Sequence, residues 1–223
     1  MGVNHPDWSL RELSWLGNLK TSIERTDRVK NLGPVTLEGR WVRLEPMRDQ
    51  HFDGLLEAAQ SSDIWHWMSR DLSDPANLAH WIDQALSSET AGEAYAFTVI
   101  DARTGRIVGS SRYLDIHSHD RGVEIGWTWY RPEVWGTTIN PEAKWLLLQH
   151  AFTHWGALRV AFRTDHLNVR SQSAIRKLGA VYEGTLRNHR IRKDGSIRHT
   201  VSFSIISEEW AEISRGLLQR IEG

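Results

Sequence analysis

The segment from Tyr130 to Lys144 combines residue types that suit the binding of an anion. A predicted strand ends at Tyr130, a short loop containing Gly136 follows, and Asn140 with Pro141 is typical of a helix N-cap and first helical residue. The unpaired backbone N–H groups and the positive end of such a helix attract a phosphate or pyrophosphate. A plain capped helix without a ligand explains the same residues, so this segment alone leaves both interpretations open.

Further segments, taken with this loop, resemble the GNAT acetyltransferases, specifically the RimJ/RimL-type branch that is similar to ribosomal-protein N-terminal acetyltransferases. They keep their order and spacing over about Val35 to Ile206. The matching residues are Glu124-Ile125-Gly126-Trp127, Trp135-Gly136 with Glu142-Ala143 after it, Asn168 with Ser171, the run from Ala174 to Ala180, and Glu183-Gly184.

The resemblance implies acetyl-coenzyme A as the acetyl donor and a primary amine as the acceptor. It also implies an α/β fold with a central mixed sheet, whose parallel fourth and fifth strands splay apart and admit the pantetheine arm. Here those strands are predicted at Gly122 to Tyr130 and Leu158 to Thr164. The loop from Trp135 to Asn140 is then expected to hold the pyrophosphate.

This loop departs from the family pattern, which places Gln or Arg, Gly, and Gly or Ala where Trp135, Thr138 and Asn140 stand. A Cβ at Thr138 restricts positive φ and close phosphate approach, so we expect the Thr137 and Thr138 hydroxyls to compensate. The residues expected to bind the cofactor are Trp129, Tyr130, Trp135, Gly136, Thr137, Thr138, Ile139, Asn140, Asn168 and Ser171.

Amide formation from a thioester needs a base, a stabilised oxyanion and a proton for the leaving sulfur. The resemblance suggests Glu124 as the base, and an ion pair of Glu124 with Arg112 or Arg121 is the structural alternative. His189 is the second candidate, because histidine titrates in the required range, although a solvated strand position also explains it.

The backbone N–H of Trp129 or Tyr130 is expected to stabilise the oxyanion, because it becomes free where the strands part. Ser171 is the family-matched proton donor, and Asn168 is expected to hold the pantetheine amide or the sulfur region. Both residues also fit helix capping, with Asn168 as N-cap and Ser171 three residues later.

Aromatic residues are expected to form the acceptor groove, and the sequence contains 12 Trp. Flat rings stack on a substrate or enclose an ammonium group by cation–π contact, although core filling explains at least half of them. A peptide N-terminus, an aminoacyl-nucleotide, an amino sugar and a polyamine all remain open as acceptors. The residues assigned to this groove are Trp65, Trp67, Met68 and Trp127.

Composition excludes several classes of protein. Lys+Arg 27 against Asp+Glu 28 gives a net charge of -1, which argues against nucleic-acid binding unless the basic hairpin around Arg187 to Lys193 acts alone. Cysteine is absent, and the 11 His lack metal-binding spacing, so no catalytic metal is expected. No membrane span and no signal-peptide apolar region is apparent, and a cytoplasmic location is expected.

The predicted order of elements is a strand, two helices, three strands, a helix, a strand, a helix and two strands, before a C-terminal helix. Residues 1–34 are predicted to be an extension with a short amphipathic helix, and residues 35–223 the acetyltransferase domain. This helix is expected to pack on its own domain, to form a homodimer contact or to act as a lid. Because Thr138 and Asn140 replace the small residues of the family pattern in this loop, a non-catalytic acyl-coenzyme A sensor or interaction module is the alternative function.

Overall fold

The computed structural model describes residues 32–222, so the predicted helix of the N-terminal extension lies outside the described residues. Within 32–222, no helix is both long and apolar enough to cross a membrane. The helices are α1 (Phe52–Ala58), α2 (Pro75–Thr90), α3 (Ile139–Gln149), α4 (Val169–Lys177) and α5 (Ser207–Glu222). The strands are β1 (Leu37–Glu38), β2 (Val42–Pro46), β3 (Tyr95–Asp101), β4 (Ile107–His117), β5 (Gly122–Tyr130), β6 (Arg159–Asp165), β7 (Val181–Ile191) and β8 (Ile197–Ile206).

One eight-stranded sheet has the order β1-β2-β3-β4-β5-β6-β8-β7. Neighbouring strands are antiparallel except β5 and β6, which run parallel because α3 connects them. Two apolar clusters cover opposite faces: α3, α4 and α5 contribute to one, and α1 and α2 to the other. The predicted mixed α/β sheet with helices on both faces is confirmed.

The parallel pairing of β5 with β6 is short. Only three residue pairs join the strands, from Gly122 opposite Arg159 to Glu124 opposite Ala161. Beyond Glu124, β5 stays paired with β4 as far as Tyr130, and β6 stays paired with β8 as far as Asp165. The facing edges of β5 and β6 therefore separate towards their carboxyl ends, as the family resemblance implied.

A bulge in β5 lies within this separated stretch. Ser110 pairs with Trp129 but Arg112 pairs with Gly126, so β5 holds an extra residue opposite Ser111. Trp127 takes up the extra length with φ of 49°, a left-handed conformation that a bulky side chain rarely adopts. The bulge bends β5 next to the gap and leaves the Trp127 side chain 38% exposed.

The helix after the gap begins slightly earlier than predicted. Thr138 is the N-cap of α3, without a side-chain capping bond, and Asn140 already lies inside the first turn. The sequence placed the N-cap at Asn140 because asparagine and proline favour that position. After α3, the chain continues as a π-helical turn (His150–Trp155). Gly156 caps the end of this turn with a φ of 79°, a conformation that suits glycine.

A buried carboxylate fixes α3 to the β1–β2 hairpin. Glu142, 5% exposed, accepts backbone N–H bonds from Arg40, Trp41 and Val42 at 2.9, 2.6 and 2.7 Å. A Cβ at Gly39 would lie 2.6 Å from the Glu142 carboxyl carbon, so the turn approaches this carboxylate as only glycine allows. The register of the hairpin and the position of α3 therefore depend on one side chain.

We expect Glu142→Gln to lower the free energy of unfolding by about 2 kcal/mol, because one amide replaces the acceptor of three buried N–H groups. Chemical denaturation with urea measures this loss. Glu212→Gln, at an exposed position of α5, is the matched control and should change stability by less than about 0.5 kcal/mol. A loss for Glu142→Gln as small as the control's would contradict this role.

Candidate active site

A cleft of about 670 Å³ opens where β5 and β6 separate. Its walls come from both strands, from the loop before α3, from the start of α4, and from the β7–β8 hairpin. Most of the residues predicted from sequence meet in this one cleft. They are Glu124, Trp127, Trp129, Tyr130, Trp135, Gly136, Asn140, Asn168, Ser171, His189, Trp67 and Met68.

Four predicted residues lie elsewhere. Thr137, Thr138 and Ile139 line a separate pocket of about 240 Å³ with Trp41 and several arginines, so the loop is divided between two concave surfaces. Trp65 is 1% exposed and its indole N–H donates to the Ala59 carbonyl at 2.8 Å. The assignment of Trp65 to the acceptor groove is wrong, because this side chain fills the core beneath Trp129, with ring centres 5.2 Å apart.

The loop before α3 uses some of its donors internally. The Thr137 N–H donates to the Val134 carbonyl, the Thr137 hydroxyl donates to the same oxygen, and the Ile139 N–H donates to that hydroxyl. The expectation that the Thr137 hydroxyl replaces a missing glycine therefore does not hold in this structure. Within residues 32–222, the N–H groups of Gly136, Thr138 and Asn140 donate no hydrogen bond and are available to an anion.

The start of α4 is capped as the sequence indicated. The Asn168 side chain accepts a hydrogen bond of 3.0 Å from the Ser171 N–H. Both residues also line the cleft, and the Ser171 hydroxyl makes no hydrogen bond within the described part of the chain. Capping and a role at the cleft are thus compatible for this pair.

Glu124 is the last residue of β5 that pairs with β6, and it is 7% exposed. Its carboxylate accepts a 2.7 Å hydrogen bond from Arg163, which also bonds Asp115 at 2.9 Å. Arg163, and not the expected Arg112 or Arg121, is therefore its partner, because β6 brings Arg163 across the gap. Burial raises the pKa of Glu124 against the opposing effect of Arg163, and the Asp115 carboxylate raises it further.

His189 lies on the exposed edge strand β7 and reaches the cleft. Its Nδ1 is 2.9 Å from the Thr200 hydroxyl. Partial desolvation, together with Arg190 and Arg198, lowers the pKa of His189, which favours the neutral imidazole near pH 7. The imidazole is therefore able to accept a proton at the cleft.

The basic hairpin predicted from sequence forms one wall of the cleft. Arg192 is held by two hydrogen bonds to the buried carboxylate of Asp165, at 2.7 and 2.8 Å. Lys193 donates to the Trp65 carbonyl at 3.1 Å, which joins the hairpin turn to the segment after α1. Arg190 and Arg198 line the cleft itself, so this wall is predominantly positive.

The aromatic wall has a cationic support. The Arg112 guanidinium lies 4.8 Å from the Trp81 ring centre and 5.3 Å from that of Trp127, within cation–π distance. Burial lowers the pKa of Arg112 to about 10, so it remains charged at neutral pH. Trp67 and Met68 are half-buried and also line the cleft, so the cleft keeps an aromatic lining without Trp65.

Besides Arg163, sequence reasoning missed two further cationic residues at the cleft. Lys144 of α3 is 5% exposed and lines the cleft. Leu147 and Leu148 follow it by three and four residues, a spacing that puts Lys144 on the buried face of the helix and could have identified it from the sequence. Arg170 of α4 lies 3.8 Å above the Trp135 ring, a contact between residues too far apart in sequence to leave a local signal.

Comparison with known proteins agrees with this geometry. The family model described as an acetyltransferase (GNAT) domain matches residues 42–181. A GCN5-related N-acetyltransferase from Brucella melitensis has 27% identity and a TM-score of 0.80, with 86% of this chain and 87% of that chain covered. A structure from T. thermophilus, whose description suggests an acetyltransferase, has 32% identity and a TM-score of 0.75, with 84% of this chain and 97% of that chain covered.

A more distant structure, Mycobacterium smegmatis RimJ in complex with CoA-disulfide, has 20% identity and a TM-score of 0.74, with 84% of this chain and 95% of that chain covered. At this identity the likeness supports the fold alone. Comparison with curated protein sequences finds no match. The family match spans well over half of the chain, and the chain therefore belongs to the GNAT acetyltransferase family and is an acyltransferase enzyme.

Proposed function

We propose that this enzyme transfers an acetyl group from acetyl-coenzyme A directly to a primary amine while both are bound. The observation that carries the proposal is the separation of β5 from β6 beyond Glu124, with a cleft of about 670 Å³ in the gap. This single cleft holds a carboxylate base, free backbone donors and an aromatic wall. Such an arrangement suits two substrates that meet end to end.

The residues present fit acetyl-coenzyme A. The free N–H groups of Gly136 and Asn140, two residues that line the cleft around the start of α3, suit the pyrophosphate, and Arg170 adds positive charge there. The unpaired edges of β5 and β6 suit the amides of a pantetheine arm, because buried backbone groups need partners. When bound, acetyl-coenzyme A supplies the acetyl group as a reactive thioester.

Glu124 is proposed as the base that accepts the proton of the acceptor amine. Its carboxylate lies at the point where the strands part, and its raised pKa makes it a stronger base than an exposed glutamate. His189 remains the second candidate on the neighbouring wall. Ser171 is proposed to return a proton to the leaving sulfur, because it lines the cleft on α4 and its hydroxyl makes no hydrogen bond within residues 32–222.

The N–H of Tyr130 is the better oxyanion donor of the two expected from sequence. The Arg131 N–H donates to the Val108 carbonyl on β4, and alternate residues of a strand direct their N–H groups to opposite edges. Trp129 therefore directs its N–H to β4, and Tyr130 directs its N–H to the gap. A fixed donor at that position stabilises negative charge as it develops.

A protein or peptide N-terminus is the proposed acceptor, and membership of the RimJ/RimL-type branch is part of the same proposal. The sequence resemblance to that branch supports this assignment, and a cleft lined by Trp67, Met68 and Trp127 is compatible with it. An α-amino group is also more often neutral at pH 7 than a lysine side chain, because its pKa is about 7.7–8.0 against about 10.4.

We expect acetyl-coenzyme A to bind with a Kd between about 1 µM and 1 mM by isothermal titration calorimetry. Ala174→Phe places a large ring in the cleft from α4 and should weaken binding roughly tenfold or more. Ala211→Phe, at an exposed position of α5, is the matched control and should bind as the unchanged protein does. Equal binding of acetyl-coenzyme A by both variants would show that the cleft is not the coenzyme site.

We expect Glu124→Gln to lower kcat/KM about 100-fold, because the amide cannot accept the proton. In the unchanged enzyme the rate should rise with pH through the raised pKa of Glu124, and the variant should lose this rise. Asp115→Asn removes a charge that raises this pKa, so it should move the rise to lower pH and leave it otherwise intact. An unaltered pH–rate profile in Glu124→Gln would show that another group is the base.

We expect an acceptor screen by mass spectrometry to detect acetylation of peptides at the α-amino group, because a neutral amine is the reactive form. The same peptides with a blocked N-terminus are the control and should gain no acetyl group. Acetylation confined to polyamines or amino sugars would replace the peptide assignment while leaving the transferase activity in place.

A further inference from the structure

Lys144 is a buried amine without an anionic partner. Its Nζ lies 2.8 Å from the Ser111 hydroxyl oxygen and 2.5 Å from that of Thr128, and the two oxygens are 2.9 Å apart. Its residue is only 5% exposed, yet it lines the cleft. Among residues 32–222, no aspartate or glutamate forms an ion pair with it.

The charged groups on neighbouring elements are already engaged elsewhere. Glu142, on α3 itself, is bound by the backbone of the β1–β2 turn. Glu124 on β5 is paired with Arg163 on β6, and Arg112 on β4 contacts the rings of Trp81 and Trp127. Desolvation lowers the pKa of Lys144 to about 7, and no neighbouring charge contributes to that shift.

A buried ammonium without a counter-ion is costly, so this site is suited to a ligand that brings negative charge. The position of the amine indicates when such charge arises. Thr128 lies in the stretch of β5 that no longer pairs with β6. This stretch runs from Glu124, the proposed base, to Tyr130, the proposed oxyanion donor. The Lys144 amine, which is hydrogen-bonded to Thr128, therefore lies beside the place where the proposed acyl transfer occurs.

We propose that Lys144 is a catalytic residue whose ammonium group stabilises the sulfur anion left behind by acyl transfer. The inference rests on the proposed function. As the new carbon–nitrogen bond forms, the carbon–sulfur bond breaks and leaves its electron pair on sulfur, while the acceptor proton goes to the base. The Lys144 ammonium, held by Ser111 and Thr128, then faces the new negative charge in a poorly solvated site, where such pairing is strong.

A purely structural role is the competing explanation, because the same bonds join β4 to β5 at the bulge. The two roles differ in one measurable respect. A structural tie treats coenzyme A and desulfo-coenzyme A alike, whereas an ammonium that pairs with a thiolate favours the ligand with the sulfur atom. Binding of the two ligands therefore separates the roles without any measurement of activity.

The test compares coenzyme A with desulfo-coenzyme A by calorimetry from pH 6 to pH 9. We expect the unchanged protein to bind coenzyme A roughly tenfold tighter than desulfo-coenzyme A between about pH 7 and pH 8.5. The pKa of Lys144 sets the lower limit of this pH range, and the pKa of a thiol sets the upper limit. The preference should fall below pH 7, because forming the ion pair then releases a proton. Lys144→Met should bind both ligands equally, and Lys177→Met, at an exposed position of α4, should keep the preference.

Equal binding of the two ligands by the unchanged protein at every pH would overturn the inference, as would a preference that survives in Lys144→Met. If Lys144→Met does not fold, Lys144→Gln and the pH series of the unchanged protein give the same decision. Failure of both ligands to bind at millimolar concentration would instead overturn the proposed function itself.

Discussion

The site depends on one constraint, which is that β5 and β6 share only three residue pairs before they separate. A parallel pair normally continues its ladder, and a buried N–H or carbonyl without a partner costs about 1–3 kcal/mol. Here the ladder stops at Glu124, so beyond it the inner edges of β5 and β6 do not pair with each other, and the proposed ligand would complete them. The cleft, its free donors and its open backbone edges all follow from that early separation.

Several independent contacts keep the strands apart. β5 is held by β4 as far as Tyr130, and β6 is held by β8 as far as Asp165, so each strand is fixed on its outer side. The bulge bends β5 at Trp127, and Trp129 is packed on Trp65 within the apolar cluster beneath α1 and α2. Closing the gap would require several of these contacts to break together.

Desolvation acts on the charges of the cleft in opposite directions. It raises the pKa of Glu124 and lowers that of Lys144, because burial disfavours the charged form of either group. Both groups are thereby moved towards the range in which protons exchange near neutral pH. The proposed base and the proposed cationic site are thus two side chains with different partners, Glu124 with Arg163 and Lys144 with two hydroxyl groups.

The sequence by itself determined the order of helices and strands and the Asn168 cap, because each is encoded in local periodicity or adjacent residue types. The separation of one parallel strand pair was expected from the resemblance to a known family. Tertiary structure decided that Trp65 fills the core, that Arg163 is the partner of Glu124, and that Lys144 lines the cleft. These outcomes depend on which strand lies beside which and in what register. Contacts between residues distant in sequence leave no local pattern, so only packing of the whole sheet and its helices establishes them.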